Sequence, residues 1–300
     1  MSEMPPEDLG RVRAALDALG PRYAEDIARH SQLVKELYAP LLAAQPRAGI
    51  DITRDISYGE HPRQVLDVYR PMTATQADVM VFVHGGAFVR GAKSGPEGLY
   101  DNVPLWFARR GFIGVNVEYR LAPEAPYPQG ALDLAAALEW VHRNAATCGG
   151  DPGRILLVGH SAGGTHAAAY ACDPMLAQQP CRARALVLVS GRLRADVSPR
   201  NPNAPGVRAY FGEDTGCYEA RSPVTHAHRC AIPAMVALAQ YENPLLDVYG
   251  LEFAHRLSVQ AGTAPRVLQC MGHNHMSIVA HLGSGEDTLG DAIRDFWSSV

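Results

Sequence analysis

The chain has 300 residues, a formal net charge of −4 and 47% apolar residues, a composition typical of a globular enzyme with a large core. It contains no run of Lys or Arg that could follow a line of phosphates, so we expect no nucleic-acid partner. No apolar run approaches the ~20 residues that span a bilayer, and the acidic start does not resemble a signal peptide, so a cytoplasmic protein without a membrane partner is expected.

The first predicted elements are helical. Residues 1–48 carry apolar residues at helical spacing, which predicts two helices ahead of the main body. Pro21 and Pro40 are expected to interrupt this segment. Two helices in this position suggest a lid or cap.

From residue 51 onward, strands alternate with helices. The predicted strands cover 52–58, 64–69, 79–83, 112–117, 155–158, 185–189, 232–239 and 267–270. The predicted helices cover 100–110, 129–146, 162–172, 245–261 and 289–297. Apolar strands separated by helices predict a mostly parallel sheet with helices on both faces, within a single α/β domain of residues 1–300. The Pro-rich stretch 192–231 is too long for a plain connection, which indicates an insertion that contributes to a cap or a pocket.

A candidate nucleophile follows one of the apolar strands. Residues 159–163 (GHSAG) fit the pattern G-x-S-x-G between the strand at 155–158 and the Ala-rich helix that begins near Ala162. In this setting the serine takes a strained backbone and its hydroxyl projects from the end of the sheet. Ser161 is therefore predicted to be a catalytic nucleophile, and the alternative is a serine that only caps the helix.

Candidate oxyanion donors follow an earlier strand. Gly85 and Gly86 come directly after the strand at 79–83, where small residues let backbone N–H groups approach a ligand oxygen. With the N–H of Ala162, they are predicted to bind the oxyanion of a tetrahedral intermediate. His84 is expected to order this loop through hydrogen bonds and to take no part in the chemistry.

Three segments carry a family resemblance. They are 84–91 (HGGAFVRG), 119–124 (YRLAPE) and 159–164 (GHSAGG). Together they resemble the bacterial carboxylesterases of the hormone-sensitive-lipase family, and the similarity extends over roughly residues 55–300. The resemblance implies an eight-stranded α/β-hydrolase core with an N-terminal helical cap, and ester hydrolysis with no metal or organic cofactor. Ala87 departs from the pattern, because the family often has a third glycine there.

The base is predicted to be one of two histidines near the C-terminus. In this fold the order along the chain is Ser, then Asp or Glu, then His. His273 and His275 both follow the last predicted strand. Members of the family tend to carry an apolar residue after the catalytic histidine, so His275, which precedes Met276, is preferred.

The same histidines raise the question of a metal site. His273 and His275 form an H-x-H pair, and His226, His228 and His281 lie elsewhere in the C-terminal half. No carboxylate or cysteine stands with them in a recognisable ligand pattern, so no metal is predicted. His226, His228 and His281 are expected to be surface or loop residues.

The acid is less regular than the other members. The family usually has Asp-Pro at the end of the strand at 232–239, but Asn243 occupies that place, and an amide cannot stabilise an imidazolium by charge. Glu242 lies just beyond the strand end and is preferred as the acid. Asp247, in the first turn of the next helix, is the alternative.

The sequence therefore predicts a serine carboxylesterase that forms an acyl-enzyme and acts on small acyl or aryl esters. Two alternatives stay open: an amidase such as an aryl-formamidase with the same triad, and a degenerate hydrolase that serves as a small-molecule receptor. A homodimer is compatible with the sequence, although no feature selects it. Four aromatic residues could line the substrate site or belong to the core: Phe88, Tyr100, Trp106 and Tyr210.

Overall fold

One mixed sheet forms the centre of the protein. The computed structural model describes residues 6–95, 98–178 and 180–300. The strands are β1 (Ile50–Ser57), β2 (Val65–Pro71), β3 (Ala77–Val83), β4 (Ile113–Val117), β5 (Gly150–His160), β6 (Ala185–Val189), β7 (Ala234–Tyr241) and β8 (Arg266–Asn274). Their order in space is β1-β2-β4-β3-β5-β6-β7-β8. β2 is antiparallel to both of its neighbours and the other pairs are parallel, so the predicted eight-stranded, mostly parallel sheet is confirmed.

The helices follow the predicted order, with three differences. They are α1 (Pro6–Leu19), α2 (Ile27–Ala43), α3 (Asn102–Ala108), α4 (Gln129–Asn144), α5 (Ala162–Cys172), α6 (Ala204–Phe211), α7 (Tyr218–Arg221), α8 (Leu246–Ala261), α9 (Ser277–Ala280) and α10 (Thr288–Ser298). The short α9 was not predicted, and α6 and α7 lie within the stretch 192–231, for which no helix was predicted. Residues 1–5 of the first predicted helix lie outside the described residues.

The third difference concerns Pro40. Pro21 does interrupt the N-terminal segment, since it lies in the 3₁₀ turn between α1 and α2. Pro40, in contrast, lies inside α2, which continues to Ala43, so the predicted break there is wrong. Leu41 and Leu42 are almost fully buried, and their packing keeps the last turn helical although the proline removes one backbone hydrogen bond.

Both faces of the sheet are covered, as β3 illustrates. Val79, Val81 and Val83 belong to one apolar cluster with residues of α4, α5 and α8. Met80 and Phe82 belong to a second cluster on the opposite face, with residues of α1, α2, α3 and α10. This alternation is the two-residue period of a strand that is buried on both sides. The N-terminal helices are therefore part of a covering layer.

The register of the parallel strands brings their carboxyl ends together. Val83 pairs with Gly159, His160 with Val189, and Tyr241 with Asn274. The residues that directly follow these strands therefore lie along one edge of the sheet, and they are His84, Ser161, Ser190, Glu242 and His275. In open α/β sheets this edge is the usual place for a ligand. Within the described ranges, no helix is long and apolar enough to cross a membrane.

Candidate active site

The pairing of β7 with β8 sets the distance between a histidine and a carboxylate. Tyr241 and Asn274 are partners at the ends of these strands, and the backbone N–H of His275 donates to the Tyr241 carbonyl at 3.2 Å. The next residues, Glu242 and His275, are therefore side by side. The Nδ1 atom of His275 lies 2.9 Å from Oε2 of Glu242.

Ser161 completes a chain of three side chains. Its Oγ lies 3.0 Å from Nε2 of His275. Because an ionised carboxylate only accepts hydrogen bonds, Nδ1–H of His275 donates to Glu242, which leaves Nε2 as the acceptor for the serine hydroxyl. The serine backbone has φ 55° and ψ −117°, the strained turn that the motif predicts between β5 and α5. Gly163 allows this turn, since a Cβ there would lie 2.2 Å from the Val83 carbonyl oxygen.

The second carboxylate oxygen of Glu242, which does not face His275, accepts hydrogen bonds from two groups for which the sequence predicted no role. This oxygen, Oε1, accepts a hydrogen bond from the backbone N–H of Ala239 at 2.8 Å and another from the Ser190 hydroxyl. The Glu242 side chain is only 3% exposed. Ser190 directly follows β6, and its place at the end of an apolar strand was the signal that could have identified it.

Asp247 and His273, the two alternatives, lie elsewhere. Asp247 is exposed in the first turn of α8, and its carboxylate accepts from the N–H of Val248 at 2.9 Å. His273 is buried, with Nδ1 3.2 Å from Oγ of Ser277 and Nε2 3.4 Å from Oε1 of Glu286. The hydrogen-bonded chain from Ser161 thus runs through His275 and Glu242.

His281 contradicts the expectation of a surface histidine. It is fully buried and its ring stacks on His273 with centroids 4.2 Å apart. Its Nδ1–H donates to the Ser277 carbonyl at 3.0 Å, and its Nε2 accepts from the N–H of Leu289 at 3.2 Å. Both ring nitrogens are therefore satisfied without a charge, and burial lowers the pKa of His281 to about 3. Among the residues that the structure describes, no group of three His, Cys, Asp or Glu is arranged to hold a metal ion.

The glycine loop after β3 lies against the serine. A Cβ on Gly85 would be 2.9 Å from the Cβ of Ser161, so the loop backbone passes directly beside it. Gly86 has φ 151°, and a Cβ there would meet the Arg90 carbonyl oxygen at 1.8 Å. Only glycine fits such an approach, so the backbone of the loop lies directly against the serine side chain. Ala162 directly follows the serine as the first residue of α5, whose N-terminal end carries a positive partial charge.

His84 orders this loop in the way the sequence suggested. Its Nε2 lies 2.9 Å from Oε1 of Glu118, and its ring stacks on Tyr119 with centroids 4.5 Å apart. Burial acts to raise the pKa of Glu118, but the hydrogen bonds from His84 and from the N–H of Lys93 hold it below its usual value. The carboxylate therefore stays charged and anchors the base of the loop.

The residue before the serine, His160, was not assigned a role from the sequence. It is fully buried, and its Nε2–H donates to the backbone carbonyl of His275 at 2.9 Å. Its Nδ1 accepts from the hydroxyl of Tyr100 at 3.1 Å. Burial holds the pKa of His160 well below the usual value, so the ring is neutral. His160 therefore fixes the backbone position of His275.

A cavity of about 180 Å³ opens in front of Ser161. α2 contributes Ile27, Ser31 and Lys35 to its wall, and Asn203 comes from the stretch 192–231. Both segments that were expected to form a cap or pocket therefore line the cavity.

The four aromatic candidates divide between this cavity and the core. Tyr100 lines the cavity. Phe88 and Tyr210 stack on each other at 4.7 Å and are almost fully buried in an apolar cluster. Trp106 is also buried, with its Nε1–H donating to Asp287 at 2.7 Å. The interpretation of these last three as core residues is the correct one.

The sheet order, the strained serine after β5 and the histidine after the last strand define an α/β-hydrolase. Solved structures agree with this class. A hyperthermophilic esterase from the archaeon Pyrobaculum calidifontis has a TM-score of 0.73 with 23% identity and covers 99% of both chains. A bacterial heroin esterase has a TM-score of 0.69 with 24% identity and covers 92% of both chains. The predicted α/β-hydrolase fold is confirmed.

Sequence comparisons show that part of the chain is similar to known esterases. Residues 66–178 match the family model BD-FAE. Carboxylesterase NlhH of Mycobacterium tuberculosis is 44% identical over 106 residues, which cover 34% of this chain and 31% of that protein. Para-nitrobenzyl esterase of Bacillus subtilis is 41% identical over 136 residues, which cover 40% of this chain and 27% of that protein. These matches span less than a third of either relative. They confirm the predicted resemblance to carboxylesterases.

Proposed function

We propose that the chain is a serine carboxylesterase that hydrolyses small acyl or aryl esters. The observation that carries this proposal is the continuous hydrogen-bonded chain from Ser161 through His275 to Glu242, with the serine hydroxyl facing a cavity. A nucleophile, a base and an orienting acid in this geometry are the groups that acyl transfer requires.

In the first step, Oγ of Ser161 bonds to the ester carbonyl carbon while its proton passes to Nε2 of His275. Glu242 holds the imidazole in the required tautomer and stabilises the imidazolium that forms. The N–H groups of Gly85, Gly86 and Ala162 donate hydrogen bonds to the carbonyl oxygen as it becomes negative. The bond to the leaving oxygen then breaks, and His275 gives its proton to the departing alcohol.

In the second step, water attacks the acyl-enzyme while His275 takes one of its protons. The tetrahedral intermediate collapses, the bond to Oγ of Ser161 breaks, and the serine recovers its proton from His275. The products are a carboxylic acid and the alcohol of the first step. Protein side chains and water supply every proton and electron pair, so the mechanism calls for no cofactor.

The cavity supports a preference for small substrates. Its volume of about 180 Å³ is walled by Ile27 and Ser31 of α2 and by Asn203 from the stretch 192–231. We propose that α2 and this stretch act as the cap that limits the acyl and alcohol groups. A cavity of this volume favours short acyl and alcohol groups over long alkyl chains.

The test is hydrolysis of para-nitrophenyl acetate by the wild-type protein and by Ser161→Ala. We expect the variant to lose activity by a factor on the order of 10⁴ or more, because the nucleophile is removed. Ser258→Ala, a serine on α8 remote from the cavity, is the matched control and should retain full activity. Full activity in Ser161→Ala would contradict the proposal.

An aryl formamide assayed under the same conditions separates the esterase from its nearest alternative. Faster turnover of the formamide would favour an amidase that uses the same triad, since pocket shape decides which leaving group is accepted. Turnover of neither substrate would favour a receptor and would contradict the proposed activity.

A further inference from the structure

The wall of the cavity carries two positive side chains. Lys35 is a half-buried residue of α2, and Arg90 follows the glycine loop. Both line the same cavity as Ser161. In the described part of this wall there is no Asp or Glu, although the chain as a whole has a formal net charge of −4. The charged side chains in the described wall of the cavity are therefore positive, whereas the protein as a whole is negative.

Two acidic residues, Glu242 beside His275 and Glu36 of α2, have other hydrogen-bond partners. Glu242 is 3% exposed and is bound by His275, Ser190 and the N–H of Ala239. Glu36, the neighbour of Lys35 in the chain, accepts a hydrogen bond from Nε2 of Gln32 at 3.0 Å. Within the described residues, neither Lys35 nor Arg90 forms an ion pair, so no carboxylate in that part of the chain neutralises either charge directly.

Arg90 is also held at the cavity wall. Its Nη2–H donates to Oδ1 of Asn203 at 2.9 Å, and Asn203 itself lines the cavity. A guanidinium has five N–H donors in a planar fork, and one such contact leaves others for a bound carboxylate. The contact therefore orients the guanidinium without neutralising its charge.

We propose that the esters this site accepts carry a carboxylate, and that Lys35 and Arg90 bind this group while Ser161 attacks the ester carbonyl. The proposal rests on the esterase function proposed above. A carboxylate in the cavity gains charge-assisted hydrogen bonds from both side chains, and the local positive potential favours its entry. A neutral ester of the same size gains neither.

Two matched pairs of substrates test the proposal, one for each side of the ester bond. On the alcohol side, para-acetoxybenzoate is compared with its methyl ester. On the acyl side, the mono-para-nitrophenyl ester of adipic acid is compared with methyl para-nitrophenyl adipate, in which a methyl ester replaces the free carboxylate. We expect kcat/KM for the charged member of at least one pair to exceed that of its neutral partner by about tenfold or more, the scale of one charge-assisted hydrogen bond.

Two variants assign the preference to these side chains. Lys35→Met and Arg90→Met keep most of the side-chain length and remove the charge. Each should raise KM for the preferred anion by about 5- to 10-fold more than it raises KM for the neutral ester, and the double variant should lose the preference. Arg109→Met, a change at an exposed arginine outside the cavity, is the control and should change neither substrate.

The outcomes separate this inference from the function on which it rests. Hydrolysis of the neutral esters without preference for the anion in either pair overturns the inference and leaves the esterase intact. A preference that survives in the double variant also overturns the inference, since other groups would then bind the carboxylate. If none of the four esters is hydrolysed, both the inference and the esterase function are wrong.

Discussion

His160 donates its Nε2–H to the backbone carbonyl of His275 across 2.9 Å. The tautomer follows from the contact, because a carbonyl oxygen only accepts, and the hydroxyl of Tyr100 then donates to Nδ1 of His160 at 3.1 Å. The residue that precedes the serine in the GHSAG motif therefore fixes the loop that carries the proposed base. In the proposed reaction His160 acts only through His275, so we propose that it is a positioning residue.

Removal of this donor should slow the chemistry and leave substrate binding almost unchanged. In His160→Leu we expect kcat to fall about 10- to 100-fold, as expected for the loss of one buried hydrogen bond that positions the base, with KM nearly constant. His160→Gln can still donate an N–H to the carbonyl of His275 and should recover most of kcat. Steady-state kinetics on para-nitrophenyl acetate measure both values. Equal losses in the two variants would mean that His160 acts only through packing.

The two candidate acids are distinguished by charge-removing substitutions of the same kind. Glu242→Gln should lower kcat by about 10³- to 10⁴-fold, because an amide can hold neither the tautomer nor the charge of the imidazolium. Asp247→Asn changes an exposed carboxylate on α8 and should leave kcat within about twofold of the wild type. The comparison requires only kcat for one ester. The reverse ranking would assign the acid to Asp247.

Substitution of His275 should lower catalytic activity, whereas substitution of His273 should lower the stability of the fold. His275→Ala should lower kcat by about 10⁴-fold or more, since proton transfer from Ser161 is lost. His273→Asn removes a buried ring that lies against Glu286 and His281, so we expect the variant to lose stability and to retain most of its kcat. Thermal unfolding and kinetics on the same samples separate the effects. A large loss of kcat in folded His273→Asn would contradict this assignment.

Two buried histidines predict a loss of stability in mild acid. Burial lowers the pKa of His166 and of His281 to about 3. Between pH 6.5 and pH 3 the unfolded chain binds protons that the folded protein does not, so this stabilisation is complete above about pH 6.5 and is lost as the pH falls. From pH 7 to pH 5 the free energy of unfolding should fall by about 2 kcal/mol for each histidine. Urea unfolding at the two pH values measures this change.

His166→Gln provides the control for that measurement. The variant lacks one of the titrating groups, so its loss between pH 7 and pH 5 should be smaller than that of the wild type by about 2 kcal/mol. An unchanged difference would show that His166 does not contribute to the acid sensitivity.

The sequence predicted those parts of the molecule that depend on local patterns. The strands, the long helices and the strand–turn–helix setting of Ser161 follow from residues that are close in the chain. Helix α6 was missed because prolines and a glycine break its pattern, yet Val207 and Phe211 are fully buried and their packing maintains the helix.

Contacts between distant residues could not be predicted in the same way. Glu242 was preferred over Asp247 because it lies just beyond a predicted strand, whereas the geometry depends on the pairing of Tyr241 with Asn274 across β7 and β8. The contact of Ser190 with Glu242 likewise joins residues that are 52 positions apart. A one-residue change of register would move each side chain to the other face of the sheet, and a single sequence does not specify register to that accuracy.

Covalent labelling with an organophosphate such as paraoxon, followed by intact mass and peptide mapping, tests the central claim most directly. The reagent phosphorylates a serine only where a neighbouring base activates the hydroxyl and donors stabilise the developing anion. We predict a single adduct on Ser161, complete loss of ester hydrolysis in proportion to labelling, and no adduct in Ser161→Ala. An unlabelled wild-type protein, or an adduct on a different residue with activity retained, would contradict the assignment of Ser161 as the nucleophile.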